Sequence, residues 1–334
     1  MEKEIISFIG AGFHCIDIIQ TDSQRYIALG GTAANVTAIF SSFSQNSSFI
    51  CPQYTDTWGK WFQDELYNRK IQPLFFTKTK TSMPRIIEHL NISNGLHSFQ
   101  SVCSLCGKEL SKNVLPNTNN INDEIILQAK DANIFFFDRV SSGIKELAHQ
   151  HYSGWTYYEP NTCRNYISFL EMAKTVDIVK FSSSRIPGAY ISRLLNDLQA
   201  SNVQLVISTM GASGFSFSYR DKNGKLTQWV TIDSSHIDSI LDSSGAGDWF
   251  TATFLLTFLR KYPYRVSTID YDFLDYALNT AKKVSSIKCG FLGVHGIFEN
   301  AEALETISSL LDVRICNYSN HSFCWGTGCK ACGL

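Results

Sequence analysis

The residues best equipped for chemistry stand in one stretch, Leu241–Leu259, LDSSGAGDWFTATFLLTFL. Gly245, Ala246 and Gly247 leave a run of backbone amides uncovered by bulky side chains, directly ahead of an apolar helix that starts near Asp248. Amides at a helix start, reinforced by the helix dipole, form a pocket for an anion. A carboxylate beside such a pocket repels a phosphate, so its presence points to a task. Asp248 can take a proton from a hydroxyl while the amides and a magnesium ion neutralise the phosphoryl group under attack. The plainer alternative is a tight glycine turn with Asp248 capping the helix.

These residues need a scaffold, and the rest of the chain describes one. Short apolar runs at Ile5–Ile9, Ser48–Pro52, Ile134–Phe137, Trp155–Tyr158, Asp177–Phe181 and Val203–Ser208 have the continuous character of strands buried on both faces of a parallel sheet. Helical stretches alternate with them at Ala33–Phe43, Trp58–Lys70, Asn161–Lys174 and Gly188–Gln199, with a last one at Ala301–Leu311. The alternation predicts βαβ units in three layers, α/β/α. Two regions break the rhythm, Ile16–Leu29 and Gln72–Cys103, the second carrying an Asn94-Gly95 hairpin signal. They predict a small β lid, segments about 13–30 and 72–106, over the carboxyl ends of the parallel strands, the edge where such sheets bind ligands.

Composition limits the partners. Of the 334 residues 44% are hydrophobic and 18% charged, which excludes a disordered chain. Lys plus Arg is 29 and Asp plus Glu is 30, so the net charge of -1 offers no field for nucleic acid or anionic lipid. The apolar stretch Trp249–Leu259 is broken by threonines and too short to span a bilayer. MEKEIISFIGAGFHC has no basic region and no long apolar core, so it does not read as a secretory leader, and a cytoplasmic protein with reduced cysteines is expected.

The string DSSGAGDWF resembles the C-terminal signature of the ribokinase (PfkB) family of carbohydrate and nucleoside kinases, DTxGAGDxF, with Ser243 in place of Thr. LGGTAANVTA, Leu29–Ala38, resembles the family's N-terminal signature. There Gly30 and Gly31 would let the backbone approach a sugar and Asn35 would offer a donor and an acceptor to hydroxyls. Asp17 in FHCIDII matches the early aspartate that binds substrate hydroxyls, and Thr55–Leu66, TDTWGKWFQDEL, is similar to G-x-D-x-x-G. Tyr158–Arg164, YEPNTCR, resembles D-x-N-x-R with Glu159 for Asp, and Ser208–Gly214, STMGASG, resembles the T-x-G-x-x-G turn along ATP.

The resemblance covers about residues 5–300. It implies a ribokinase-like fold and transfer of the ATP γ-phosphoryl group to a hydroxyl of a sugar or sugar-like molecule. Asp248 would be the base, and the amides of Gly245, Ala246 and Gly247 would hold the group in transit. Asp17, Gly30, Gly31, Asn35 and Arg164 would bind substrate. Thr209, Gly211, Gly214, Asp242, Asn279 and Arg185 would bind nucleotide with magnesium, and a monovalent cation and lid-to-lid homodimers belong to the same picture. Arg164 and Arg139 read equally well as surface ion pairs. A nucleoside kinase, or a non-catalytic ligand-binding or interaction protein on this scaffold, are the alternatives.

Two departures stand out. Where the family carries Asn-x-x-Glu, this chain has Ser182 and Arg185. Either Arg185 meets phosphate directly, or fewer groups hold the metal, or activity is lost. The chain also continues past the expected final helix into a cysteine-rich tail, residues 313–334. There Cys324, Cys329, Cys332 and His321 are spaced as ligands for a structural zinc, with Cys103 and Cys106 able to join if the tail folds back. The alternative is a flexible tail with unpaired cysteines. Cys15, Cys51, Cys163 and Cys289 sit among apolar residues and are expected in the core.

Overall fold

A computed structural model describes residues 5–20, 25–91, 96–103, 106–110, 112–151, 153–161, 163, 165–234 and 240–316. The first half contains β1 (Ser7–Ala11), β2 (Cys15–Gln20), β3 (Arg25–Gly30), α1 (Thr32–Ser42), β4 (Asn46–Tyr54) and α2 (Thr57–Asn68). It continues with β5 (Ile71–Thr79), β6 (Arg85–Asn91), β7 (Leu96–Gln100), α3 (Asp123–Asp131), β8 (Ile134–Phe137) and α4 (Ser142–Gln150). Then follow β9 (Trp155–Tyr158), α5 (Tyr166–Ala173), β10 (Ile178–Ser182), α6 (Gly188–Leu198), β11 (Leu205–Thr209), β12 (Phe215–Tyr219) and β13 (Val230–Ile232). The helices α7 (Ala246–Lys261), α8 (Tyr271–Lys288) and α9 (Ala301–Leu311) complete the order.

Nine strands form the large sheet in the order β13-β12-β11-β10-β9-β8-β1-β4-β5. From β11 to β5 every pairing is parallel, while β12 and β13 add an antiparallel edge. The apolar runs work as expected because their side chains alternate between two cores. In β8, Ile134 and Phe136 pack on one face with α1, α2, α7, α8 and α9, and Phe135 and Phe137 pack on the other with α3, α4, α5 and α6. Neither face has a polar side to give to water, which is why these strands carry no alternation.

The second sheet is small, with order β3-β2-β6-β7. It matches the expected lid with one correction. The segment FFTKTKT was expected in it, yet Ile71–Thr79 pairs in parallel with β4 as the edge of the large sheet. Its half-buried alternation suits an edge strand as well as a flap, and Pro73, which has no N–H to donate, is tolerated there. The Asn94-Gly95 turn lies outside the described residues.

Helix α7 is central. Every residue from Asp248 to Leu259 is buried, so an apolar surface runs around the whole helix. Its last turn carries Arg260 and Lys261, which suit the negative end of the helix dipole, and its first turn faces the carboxyl edge of the sheet. Among the described residues no helix is long and apolar enough to cross a membrane.

Candidate active site

The carboxyl edge of the large sheet collects the charged groups. Asp138 follows β8, Glu159 follows β9, Lys180 lies in the middle of β10, and its side chain reaches Gly247, where the loop before α7 enters the helix. Ligands of open parallel sheets bind at this edge.

The loop is built by its own backbone. Gly245 adopts φ +72° as the residue before α7, and a Cβ there would come within 2.6 Å of Val294. Asp242, fully buried, braces the loop: one carboxylate oxygen accepts from the Ser244 amide at 2.8 Å and the other from the Gly293 amide at 2.6 Å. The Ala246 amide is turned back onto the Ser243 oxygen at 3.2 Å. The amides of Gly247 and Asp248 are the first of α7 with no acceptor inside the helix. Asp242 is therefore a brace of the loop in addition to its expected place beside nucleotide.

Asp248 does not cap α7, which has no side-chain cap. Its carboxylate instead accepts from Asn35 Nδ2 at 3.0 Å, across from α1. The other end of the same amide, Asn35 Oδ1, lies 3.2 Å from His295 Nε2. Because Nδ2 donates to Asp248, Oδ1 must accept, so His295 donates from Nε2. Burial keeps His295 neutral, its pKa well below the usual value. Burial likewise pushes the Asp248 carboxyl up to about 7, with Glu159 adding to the rise and Asn35 and Lys180 opposing it. A carboxyl at that value is poised as a base near neutral pH.

On the lid side, Asp17 projects from β2 into a space that Gly30 leaves open. A Cβ at Gly30 would lie 2.2 Å from the Asp17 carboxyl carbon. Burial raises Asp17 to about 8, Glu88 and Asp248 adding like charge, and Cys15 Sγ donates to Asp17 Oδ1 at 3.2 Å. Gly31 turns the chain at φ +89° where any side chain would strike the Phe13 carbonyl, and its own oxygen receives the Asn35 amide. Asp138 holds the loop between β1 and β2. Its Oδ1 accepts from the Phe13 amide at 2.7 Å, and burial raises it to about 7.

The sequence reading missed several participants. Lys180, buried in β10, pairs with Glu159 and also donates to the Gly247 oxygen at 3.2 Å, and Thr251 Oγ1 donates to the other Glu159 oxygen at 2.7 Å. A lysine inside an apolar strand, DIVKFS, was the available signal. Glu88 of β6 accepts from Ser244 Oγ and so ties the lid to the loop. Asp138, His295 and Lys288 had no motif to announce them. Asp56 of the TDTWGKW segment caps α2 through the Gly59 amide at 2.9 Å and holds the Met83 amide at 3.1 Å, steering the chain into β6.

The expected nucleotide residues lie along the β10–β12 side. Thr209 ends β11, and Gly211 and Gly214 take φ +57° and +97° in the turn that follows. Asn279 is half-buried on α8, its amide donating to the Asp275 oxygen. Arg185 is exposed and donates to the Asn161 oxygen at 3.3 Å, and Arg139 lies over the Phe13 ring, 3.9 Å from Asp138. Arg164, Cys324, Cys329, Cys332 and His321 lie outside the described residues. Cys103 is buried with Ile18, Ile87 and Leu110, and Cys106 is exposed. Cys15, Cys51, Cys163 and Cys289 are buried as expected.

Among the described residues no group of three or more His, Cys, Asp or Glu side chains is arranged for a metal ion. Glu159 is committed to Lys180 and Thr251, and β10 ends in Ser182 without a carboxylate. The described residues therefore make no protein cage for magnesium, an ion that is commonly held through nucleotide phosphates and water.

A mainly parallel nine-stranded sheet between two helical layers, with a four-stranded sheet over its carboxyl edge, is the ribokinase-like fold. The chain is similar to ribokinase from Giardia lamblia, with TM-score 0.68 and 15% identity over 88% of this chain and 95% of that one. Fructokinase with bound ATP from Xylella fastidiosa matches at TM-score 0.68 and 18% identity, covering 93% of this chain and 98% of that one. Aminoimidazole riboside kinase from Salmonella enterica, complexed with aminoimidazole riboside and an ATP analogue, matches at 0.63 and 15%, covering 91% and 99%. No family model matches the sequence, and no curated protein matches it.

Proposed function

We propose that this protein is a ribokinase-family kinase that transfers the γ-phosphoryl group of ATP to a hydroxyl of a sugar or sugar-like small molecule. One observation carries the reading: the buried Asp248 carboxylate stands in the first turn of α7, held by Asn35, close to the loop amides and to the Asp17 carboxyl. The substrate's oxygen attacks the γ-phosphorus, the bond from that phosphorus to the ADP oxygen breaks, and the hydroxyl proton passes to Asp248. Amides at the start of α7 receive the charge of the group in flight, and the Lys180 ammonium behind Gly247 offsets it. Asp17, Asn35 and Asp138 would orient hydroxyls, being carboxyl and amide groups around one small polar space.

The fold relatives include both sugar and riboside kinases, so the test is a panel of both. ADP release is measured with sugars, sugar acids and nucleosides for the wild type and Asp248→Asn. Turnover with one class, lost in the variant, supports the reading. The second reading, a non-catalytic binding protein, draws on Ser182 and exposed Arg185 at the end of β10, and ligand binding with no turnover across the panel would favour it.

A further inference from the structure

Lys288 is the last residue of α8 and its side chain is wholly buried. An ammonium taken out of water costs several kcal/mol unless acceptors and anions surround it. Its Nζ donates to the main-chain oxygen of Asp242 at 2.8 Å. Burial lowers its pKa from the usual lysine value, while the neighbouring carboxylates of Asp242 and Glu88 favour its charge. Those same carboxylates hold Ser244, one through its amide at 2.8 Å and the other through its hydroxyl. One cation, two carboxylates and the first residues of the anion loop thus form a single cluster, and none of its members takes part in proton transfer.

We propose that Lys288 is a built-in monovalent cation for the anion loop, so that the loop keeps its shape without potassium or sodium. Its ammonium would stand in for the monovalent cation that the family resemblance implies. An alkali ion placed there would need oxygen ligands, and the Asp242 oxygen is already taken by Nζ. A second cation beside a buried ammonium would also be repelled at short range. The ammonium is a compact point charge on a flexible stem, the geometry needed to deliver a positive charge to a fixed spot. The inference rests on reading residues 243–247 as an anion pocket, but its test does not depend on turnover.

The test uses full-length wild type, Lys288→Met and Lys288→Ala at constant ionic strength, with potassium, ammonium or choline chloride. An ion that binds only the folded state raises the melting temperature saturably with its concentration. The wild type should melt at the same temperature in all three salts, and its affinity for ADP should differ between them by less than about twofold. Lys288→Ala should melt lower in choline, bind ADP roughly tenfold more weakly there, and regain both in potassium or ammonium. Lys288→Met fills the space without the charge, so it should show the loss without the recovery. A wild type stabilised saturably by potassium over choline overturns the proposal, whether or not either variant folds. ADP binding to none of the proteins would count against the kinase reading alone, because the melting measurements still judge Lys288.

Discussion

Replacing Asp248 by Asn should make the protein more stable at pH 8 while removing its turnover. A carboxyl moved by burial from 3.8 to about 7 gives up roughly 4 kcal/mol on ionising inside the fold, at about 1.4 kcal/mol per pH unit. Asn has no charge to bury, and its side-chain oxygen can still accept from Asn35. Nearby Glu159 and Asp138 gain when a like charge leaves, but Lys180 loses an anion, so the expected gain is about 1–3 kcal/mol. The sign follows from linkage. The raised pKa stabilises the fold fully below pH 3.8, and that stability is lost as pH rises through about 7. The advantage of the variant should therefore be roughly a third of its full size at pH 5 and full at pH 8. Denaturant unfolding at the two pH values measures it, and ADP release should fall by about 10²–10⁴ if the carboxylate is the base. A variant no more stable at pH 8 than the wild type, or one that turns over within tenfold of it, would refute the reasoning.

The remaining expectations use the same groups. In the wild type kcat/KM should rise with pH up to about 7 as Asp248 loses its proton, and a flat profile from pH 5.5 to 8 would contradict the assignment. Four carboxyls, Asp17, Glu88, Asp138 and Asp248, are all raised by burial, so thermal stability should fall between about pH 6.5 and 8, while buried neutral His14, His151 and His295 lower it on the acid side. Gly245→Ala should cost about 1–3 kcal/mol, from the positive φ and the contact with Val294, and should abolish ADP binding, measured by calorimetry. Lys180→Met leaves Glu159 half-buried beside Asp248 and should cost about 2–4 kcal/mol, most of it recovered when Glu159→Gln is added.

What could be read from the chain was whatever lies close together in sequence. The loop and base, Ser243–Asp248, form one unbroken string, and the strands β8 to β11 announce themselves because burial on both faces needs consecutive apolar residues. Residues that act through distant partners left no such trace. Asn35 and Asp248 are 213 positions apart and Glu88 and Ser244 are 156 apart, so neither hydrogen bond has a local pattern. Lys180 and Lys288 were visible only as charges in apolar company, a signal that does not tell which anion answers them. Strand β5 was misplaced for a different reason. Half-burial at a sheet edge and half-burial in a lid produce the same alternation, and only pairing with β4 decides between them.

The bond from Glu88 to Ser244 also bears on how such a protein could be re-engineered. A cover that merely rests on a reaction centre can be exchanged for one from a relative to change what enters. Here the small sheet reaches across to Ser244 and props up the loop that leads into α7. A graft of β2, β3, β6 and β7 would disturb that loop as well, unless the carboxylate on β6 and the serine it grips travelled as a pair.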